Sequence, residues 1–213
     1  MYSTPTRTSS ATTRLTNFVS RRPAVGKADW HAELGGKDQT IADLKFDNYF
    51  KDAFLDSDTK VALLTSSRSD IPDDWFLTNE MVFQTRDRVN KQAGSRRLLA
   101  HCTIVPGQPG WLEGIDHAIA TLWPDGWKGY MVGDNTHKDT SHYPWRLDDE
   151  KLMYPVYQRF QKAGIKNVCI HKGLFAPSIA KPFPNLLAYA DVSDVGKAAK
   201  DWPGLNFVIY HSG

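Results

Sequence analysis

Two histidines stand directly after two short apolar runs, in Val168-Cys169-Ile170-His171-Lys172 and Phe207-Val208-Ile209-Tyr210-His211. A neutral imidazole at the end of a strand offers a fixed nitrogen lone pair, which suits a catalytic Zn²⁺ or Mn²⁺ site and equally suits acid–base work. A lone histidine so placed more often hydrogen-bonds a neighbouring loop. Two in equivalent positions favour the metal or catalytic reading. Other chemistry-bearing residues also follow apolar runs: Ser66, Ser67 and Arg68, then Asp134, Asn135 and His137, then Lys172. Of these, Arg68, Asp134, His137 and Lys172 are the candidate substrate-binding residues. His137 and His142 share the loop Gly133-Asp134-Asn135-Thr136-His137-Lys138, continuing to Arg146, and their spacing of five does not put them on one helical face. A solvated loop accounts for them as well as substrate contact does. His101 lies inside an apolar run, which points to an interior role, and Lys128 in Trp127-Lys128-Gly129 reads as a buried, ion-paired lysine or as a carbamylated ligand bridging metals.

These residues need elements to position them. Lys60–Thr65, Leu98–Val105, Trp127–Val132, Val168–Ile170 and Leu205–Tyr210 are continuous apolar, partly β-branched runs, the pattern of strands covered on both faces. Helical spacing fills the gaps. One helix is expected from a cap at Asp73 or Asp74 to Gly94, and a second over 111–122 with Leu112, Ile115, Ile119 and Leu122 on its inner face. A third is expected from a cap at Asp148 to Gly164, and a fourth over 191–200, stopped by Pro203-Gly204. Strands recurring about every 30 to 40 residues with a helix in each gap make a parallel sheet, either doubly wound or part of a (β/α)₈ barrel. In both, functional groups gather after the strand C-termini. No GxGxxG or GxxxxGK[ST] follows any strand, which disfavours a dinucleotide or P-loop site.

The 213 residues carry 26 Lys and Arg against 24 Asp and Glu, a net charge of +2, which is too small for a dedicated nucleic-acid binder. No apolar run reaches the length of a membrane span. Cys102 and Cys169 have no CxxC spacing, so neither a disulfide framework nor a thiolate zinc site is indicated, and a reducing, cytoplasmic compartment fits best. Residues 1–28 hold Arg7, Arg14, Arg21, Arg22 and Lys27 and no acid. With their many Ser and Thr they read as a disordered tail, with organelle targeting as the alternative. The organisation expected is therefore a tail and irregular lead-in over 1–44 and a single barrel-type domain over 45–213.

Several segments carry a family resemblance. FLDSDTKVALL at 54–64, SDIPDDWF at 69–76, GSRRLLAHCTIVPGQPGW at 94–111, WKGYMVGDNT at 127–136, WRLDDEKLMYPVY at 145–157, AGIKNVCIHKGL at 163–174 and LNFVIYHSG at 205–213 together resemble the amidohydrolase-related metal-dependent hydrolases. That branch includes the aminocarboxymuconate-semialdehyde-type and resorcylate-type decarboxylases. The resemblance implies a (β/α)₈ barrel represented by strands 2 to 6, and one divalent ion, Zn²⁺ or Mn²⁺. His171 matches the metal ligand after the fifth strand. His211 matches the histidine after the sixth, which acts as catalytic acid or base or helps to bind the metal. A small-molecule substrate is implied, hydrolysed at a C–N or C–O bond by metal-activated water. Decarboxylation of an aromatic or muconate-type acid is the alternative, as is a non-catalytic barrel remnant. The eighth-strand Asp has no counterpart, and Asp29-Trp30-His31-Ala32-Glu33 is a poor match to the first-strand His-x-His because no apolar run precedes it. Weak metal binding and self-association through open sheet edges are the corresponding expectations.

Overall fold

The structure, a computed structural model, describes residues 45–67, 77–131, 143–173 and 184–211. The chain divides into two units, 1–59 and 60–213. In the first unit, the short helix α1 (Phe46–Phe50) runs into a wider helical turn over Lys51–Leu55. Phe46, Phe50 and Phe54 recur every four residues, and their rings line one side at centroid separations of 5.8 and 5.9 Å.

Among the described residues, the second unit is built on five parallel strands: β1 (Ala62–Thr65), β2 (Leu98–Ile104), β3 (Gly126–Tyr130), β4 (Asn167–His171) and β5 (Asn206–Tyr210). Their order in the sheet is their order in the chain. A doubly wound sheet reverses direction at a switch point. Sequential order with a helical connection in every gap is instead the arrangement of a (β/α)₈ barrel, and the fold is an incomplete barrel of this α/β class. The registers Cys102–Trp127, Trp127–Val168 and Val168–Phe207 align one face of the sheet. Thr103–Lys128, Lys128–Cys169 and Cys169–Val208 align the other.

Helices cover the first of these faces. They are α2 (Asn79–Ala93), α3 (Trp111–Thr121), α4 (Tyr154–Lys162), the single turn α5 (Leu187–Ala190) and α6 (Val195–Asp201). Ala100, Cys102, Ile104, Trp127, Val168 and Ile170 form the core with Val82, Phe83, Ile115, Val156, Tyr157 and Phe160 from the helices. Trp127 and Phe160 stack face to face with centroids 4.3 Å apart. No described helix is long and apolar enough to cross a membrane.

Three helix starts differ from expectation. The N-cap of α2 is Thr78, whose side chain accepts a hydrogen bond from the Met81 N–H, while Asp73 and Asp74 lie outside the described residues. The helix ends as expected at Gly94, in the left-handed region at φ 61°. Helix α4 starts at Tyr154 and not after Asp148, because Pro155 is tolerated only in a first turn. Asp148 pairs with Arg146 instead. The expected helix over 191–200 is α6, which begins only at Val195.

Candidate functional site

Strand alternation decides which residues share a space. On the face opposite the helices, His101 and Thr103 of β2, Lys128 and Tyr130 of β3, Cys169 and His171 of β4, and Tyr210 of β5 stand in register. In a barrel this face is the interior. It carries polar side chains where the helix-side face is apolar. Leu63 on β1 and Val208 on β5, the outer strands, are exposed on it.

His171 and His211 come together at the C-terminal ends of β4 and β5. Their ring centroids are 4.5 Å apart and the planes are inclined by 54°. Tyr130 flanks His171 at 5.5 Å. His171 is half-buried and its pKa is pushed down to about 4, first by burial and then by its electrostatic coupling to His211 and Lys128. It therefore presents a neutral ring at neutral pH. His211 is exposed and takes a left-handed backbone conformation, φ 63°. Few residues other than glycine do so, and such positions concentrate at functional sites.

Lys128 is only 6% exposed. Its ammonium sits 3.8 Å above the centroid of the Tyr210 ring and 5.1 Å from that of Tyr130. Among the described residues no carboxylate pairs with it, so the expected ion pair is replaced by an aromatic cage. Burial pushes its pKa down to about 8. Deeper in the same face His101 is 3% exposed, with Thr65 Oγ1 3.3 Å from Nδ1 and Cys169 Sγ 3.5 Å from Nε2. Burial pushes this ring down to about 4 and keeps it neutral, the interior role its mid-strand position suggested. Burial raises the Cys169 thiol, while a hydrogen bond with Tyr210 and the Lys128 charge act against it. The Tyr210 phenol is raised as well, chiefly by burial.

Lys172 is a correction. One residue beyond His171, it points away from the histidine pair and is fully buried. Its ammonium donates to Tyr189 O at 3.0 Å, to Asp191 O at 2.8 Å and to Asp194 Oδ2 at 2.7 Å. All three of its N–H donors are committed to holding the 189–194 segment, which leaves none for a substrate. Arg68, Asp134 and His137, the other candidate substrate-binding residues, lie outside the described residues, as do His142 and the Asp29-Trp30-His31-Ala32-Glu33 segment. Tyr210 and Cys169 belong to the site face and were missed. Their signal was parity, since each lies an odd number of residues from the apolar positions that face the helices.

A divalent ion would find two imidazole donors here. Nitrogen ligands suit Zn²⁺ or Mn²⁺, and a neutral His171 has its lone pair free. Among the described residues no group of three or more His, Cys, Asp or Glu side chains is placed to hold a metal ion. The donor set thus fits an imidazole-preferring ion through two ligands, and the Lys128 cation opposes tight binding. A separate cavity of about 180 Å³ lies on the helix side between β2 and α3, lined by Trp111, Ile115 and Trp127 among others. Neither histidine of the pair lines it.

No protein-family model matches the chain, and no curated protein matches it. A search of solved structures finds an uncharacterized TIM-barrel protein, Bb4693, from Bordetella bronchiseptica. It shares 14% identity with a TM-score of 0.57 over 89% of this chain. The chain spans 59% of the length of that protein. At this identity the likeness is one of fold, and it agrees with the barrel order of the five strands.

Proposed function

We propose that the chain forms part of an amidohydrolase-related, metal-dependent hydrolytic site in which His171 and His211 hold one divalent ion, Zn²⁺ or Mn²⁺. The observation that carries this reading is the pairing of the two imidazoles, 4.5 Å apart, at the C-terminal ends of neighbouring parallel strands. That is the end of a barrel at which catalytic groups collect. When bound, such an ion supplies Lewis acidity toward water and the scissile group. His171, kept neutral by burial, donates its lone pair at neutral pH. His211, exposed on its left-handed turn, would either complete the donor pair or, where it does not bind the ion, take up or deliver a proton at the substrate. Lys128 places a positive charge in the same face, where it attracts an anionic group of a small-molecule substrate. That charge favours the second reading, a decarboxylase of an aromatic or muconate-type acid, because a carboxylate substrate would supply the anion that Lys128 lacks among the described residues.

Calorimetric titration with Zn²⁺ and with Mn²⁺ tests the common core of both readings. One equivalent is expected to bind, with affinity falling at least about tenfold in His171→Ala. The same titration of His101→Asn, in the same face but away from the pair, is expected to match wild type. Binding that is absent, or unchanged by His171→Ala, refutes the metal site and leaves a non-catalytic barrel.

A further inference from the structure

The inner face carries a second reactive group whose chemistry does not depend on a metal. Lys128 stands in the middle of β3, 6% exposed, with its Nζ 3.8 Å above the Tyr210 ring centroid and 5.1 Å from that of Tyr130. Among the described residues no carboxylate accepts from it. Lysines stabilised in the folded state as cations ordinarily have such a partner, as Lys172 has in Asp194 and Lys197 has in Glu150 and Asp201. Ring faces attract an ammonium less strongly than a carboxylate does, so burial against them alone leaves the nucleophilic amine accessible. The row that Lys128 shares with Cys169 ends at the exposed Val208 on β5, so this layer of the face opens toward solvent at its edge.

We propose that Lys128 is a Schiff-base lysine that takes a small aldehyde or ketone. Its Nζ adds to the carbonyl carbon, forming a C–N bond. The resulting carbinolamine then loses its oxygen as water, which carries off the two amine protons and leaves the imine. No oxidant, reductant or metal enters this balance. The surroundings suit it. Among the described residues, Tyr130 on the same strand, Cys169 and His171 on β4, His101 and Thr103 on β2, Thr65 on β1, Tyr210 on β5 and His211 just after it are the polar groups of this face. None of them is a carboxylate that would hold Nζ protonated. The lowered pKa of about 8 agrees with the geometry: at pH 7 about one molecule in ten carries the free amine, against about one in three thousand for an ordinary lysine at 10.5.

Competitive reductive alkylation of the wild-type chain is the test. Acetaldehyde at limiting concentration is added with sodium cyanoborohydride at pH 7 and with EDTA present. Ethylated lysines are then located by peptide mass spectrometry over a time course. Lys128 is expected to be modified at least about tenfold faster than the exposed Lys91, Lys162, Lys166 and Lys200, the margin below the full amine ratio allowing for burial. The preference is expected to vanish in concentrated guanidinium, where no fold remains to make Lys128 different. Modification no faster than that of the exposed lysines overturns the proposal, and so does a preference that survives unfolding. Because EDTA is present throughout, the result is separate from that of the metal titration.

Discussion

Gly129→Ala tests whether the helix-side packing sets the geometry of the site face. Gly129 lies on β3, and a methyl group there would stand 2.6 Å from Trp145 Cζ2, 2.8 Å from its Cη2 and 3.2 Å from Ile170 Cδ1. Carbon atoms in contact prefer about 3.5–4.0 Å, so the indole must retreat by roughly 1 Å. It is poorly placed to do so. Trp145 is 1% exposed, its Nε1 donates to Tyr130 O at 2.8 Å, and its backbone N–H donates to Met131 O at 3.2 Å. Overpacking of this kind costs about 1–3 kcal/mol and a lost hydrogen bond about 1 kcal/mol more, so the expected destabilisation is about 3 kcal/mol. Urea unfolding measures it as a fall in midpoint at constant m. The two clashing atoms belong to the six-membered ring of the indole, which phenylalanine does not place there. In a Trp145→Phe background the same alanine is therefore expected to cost under about 1 kcal/mol, a coupling that a double-mutant cycle reads directly. A cost below about 0.5 kcal/mol in wild type, or an equal cost in both backgrounds, refutes the packing argument. The consequence for function follows from the acceptor: Tyr130, whose carbonyl Trp145 holds, flanks both His171 and Lys128 on the opposite face.

Two further outcomes follow from buried charge. Asp194→Ala would strand the Lys172 ammonium, since both side chains are fully buried and 2.7 Å apart. A loss of about 3–5 kcal/mol is expected, while Lys172→Met combined with Asp194→Leu should cost markedly less. Equal losses in urea unfolding would show that the pair's charge is not what matters. The second outcome concerns pH. His101 has a folded pKa of about 4 against 6.5, so between those values the unfolded chain binds a proton that the folded chain does not. Stability is therefore full above about pH 6.5 and falls as pH drops toward 4, by at most about 3 kcal/mol from this residue, and His171 acts in the same direction. Unfolding curves from pH 7.5 to 5 should show the decline in wild type and a shallower one in His101→Asn. A flat wild-type profile would contradict a neutral, buried His101.

The strand pattern was legible because the covered face of a parallel sheet demands long apolar runs, and Leu98–Ile104 and Asn206–Tyr210 fall almost where those runs do. Helix starts were less legible because they depend on single residues. Asp73, Asp74 and Thr78 are all acceptable caps by type, and the helix uses Thr78. Pro155 was the better signal for α4 than Asp148, since a proline's missing N–H and fixed φ restrict it to the first turn whatever its neighbours are.

The site was legible in position and not in orientation, and His171-Lys172 shows why. Both residues follow the same apolar run, both can carry charge, and by type both suit a substrate. A strand sends successive side chains to opposite faces, so at most one of the two can enter the inner face. Register settles which. His171 aligns with Tyr130 and Tyr210, so it joins Lys128 and His211, while Lys172 turns to the helix side and meets Asp194. The same parity places Lys128, Cys169 and Tyr210 together although they are scattered over 83 positions of the chain. Counting from the helix-facing Trp127, Val168 and Ile209 would have found that constellation. It would also have removed Lys172, which follows β4 in extended alternation, whereas His211 lies beside His171 despite following the inner-face Tyr210, because its left-handed backbone at φ 63° breaks the alternation. Which side chains share the inner face is thus fixed by parity within each strand and, after β5, by the left-handed turn at His211, while residue type alone selects too many candidates at the strand ends and too few within the strands.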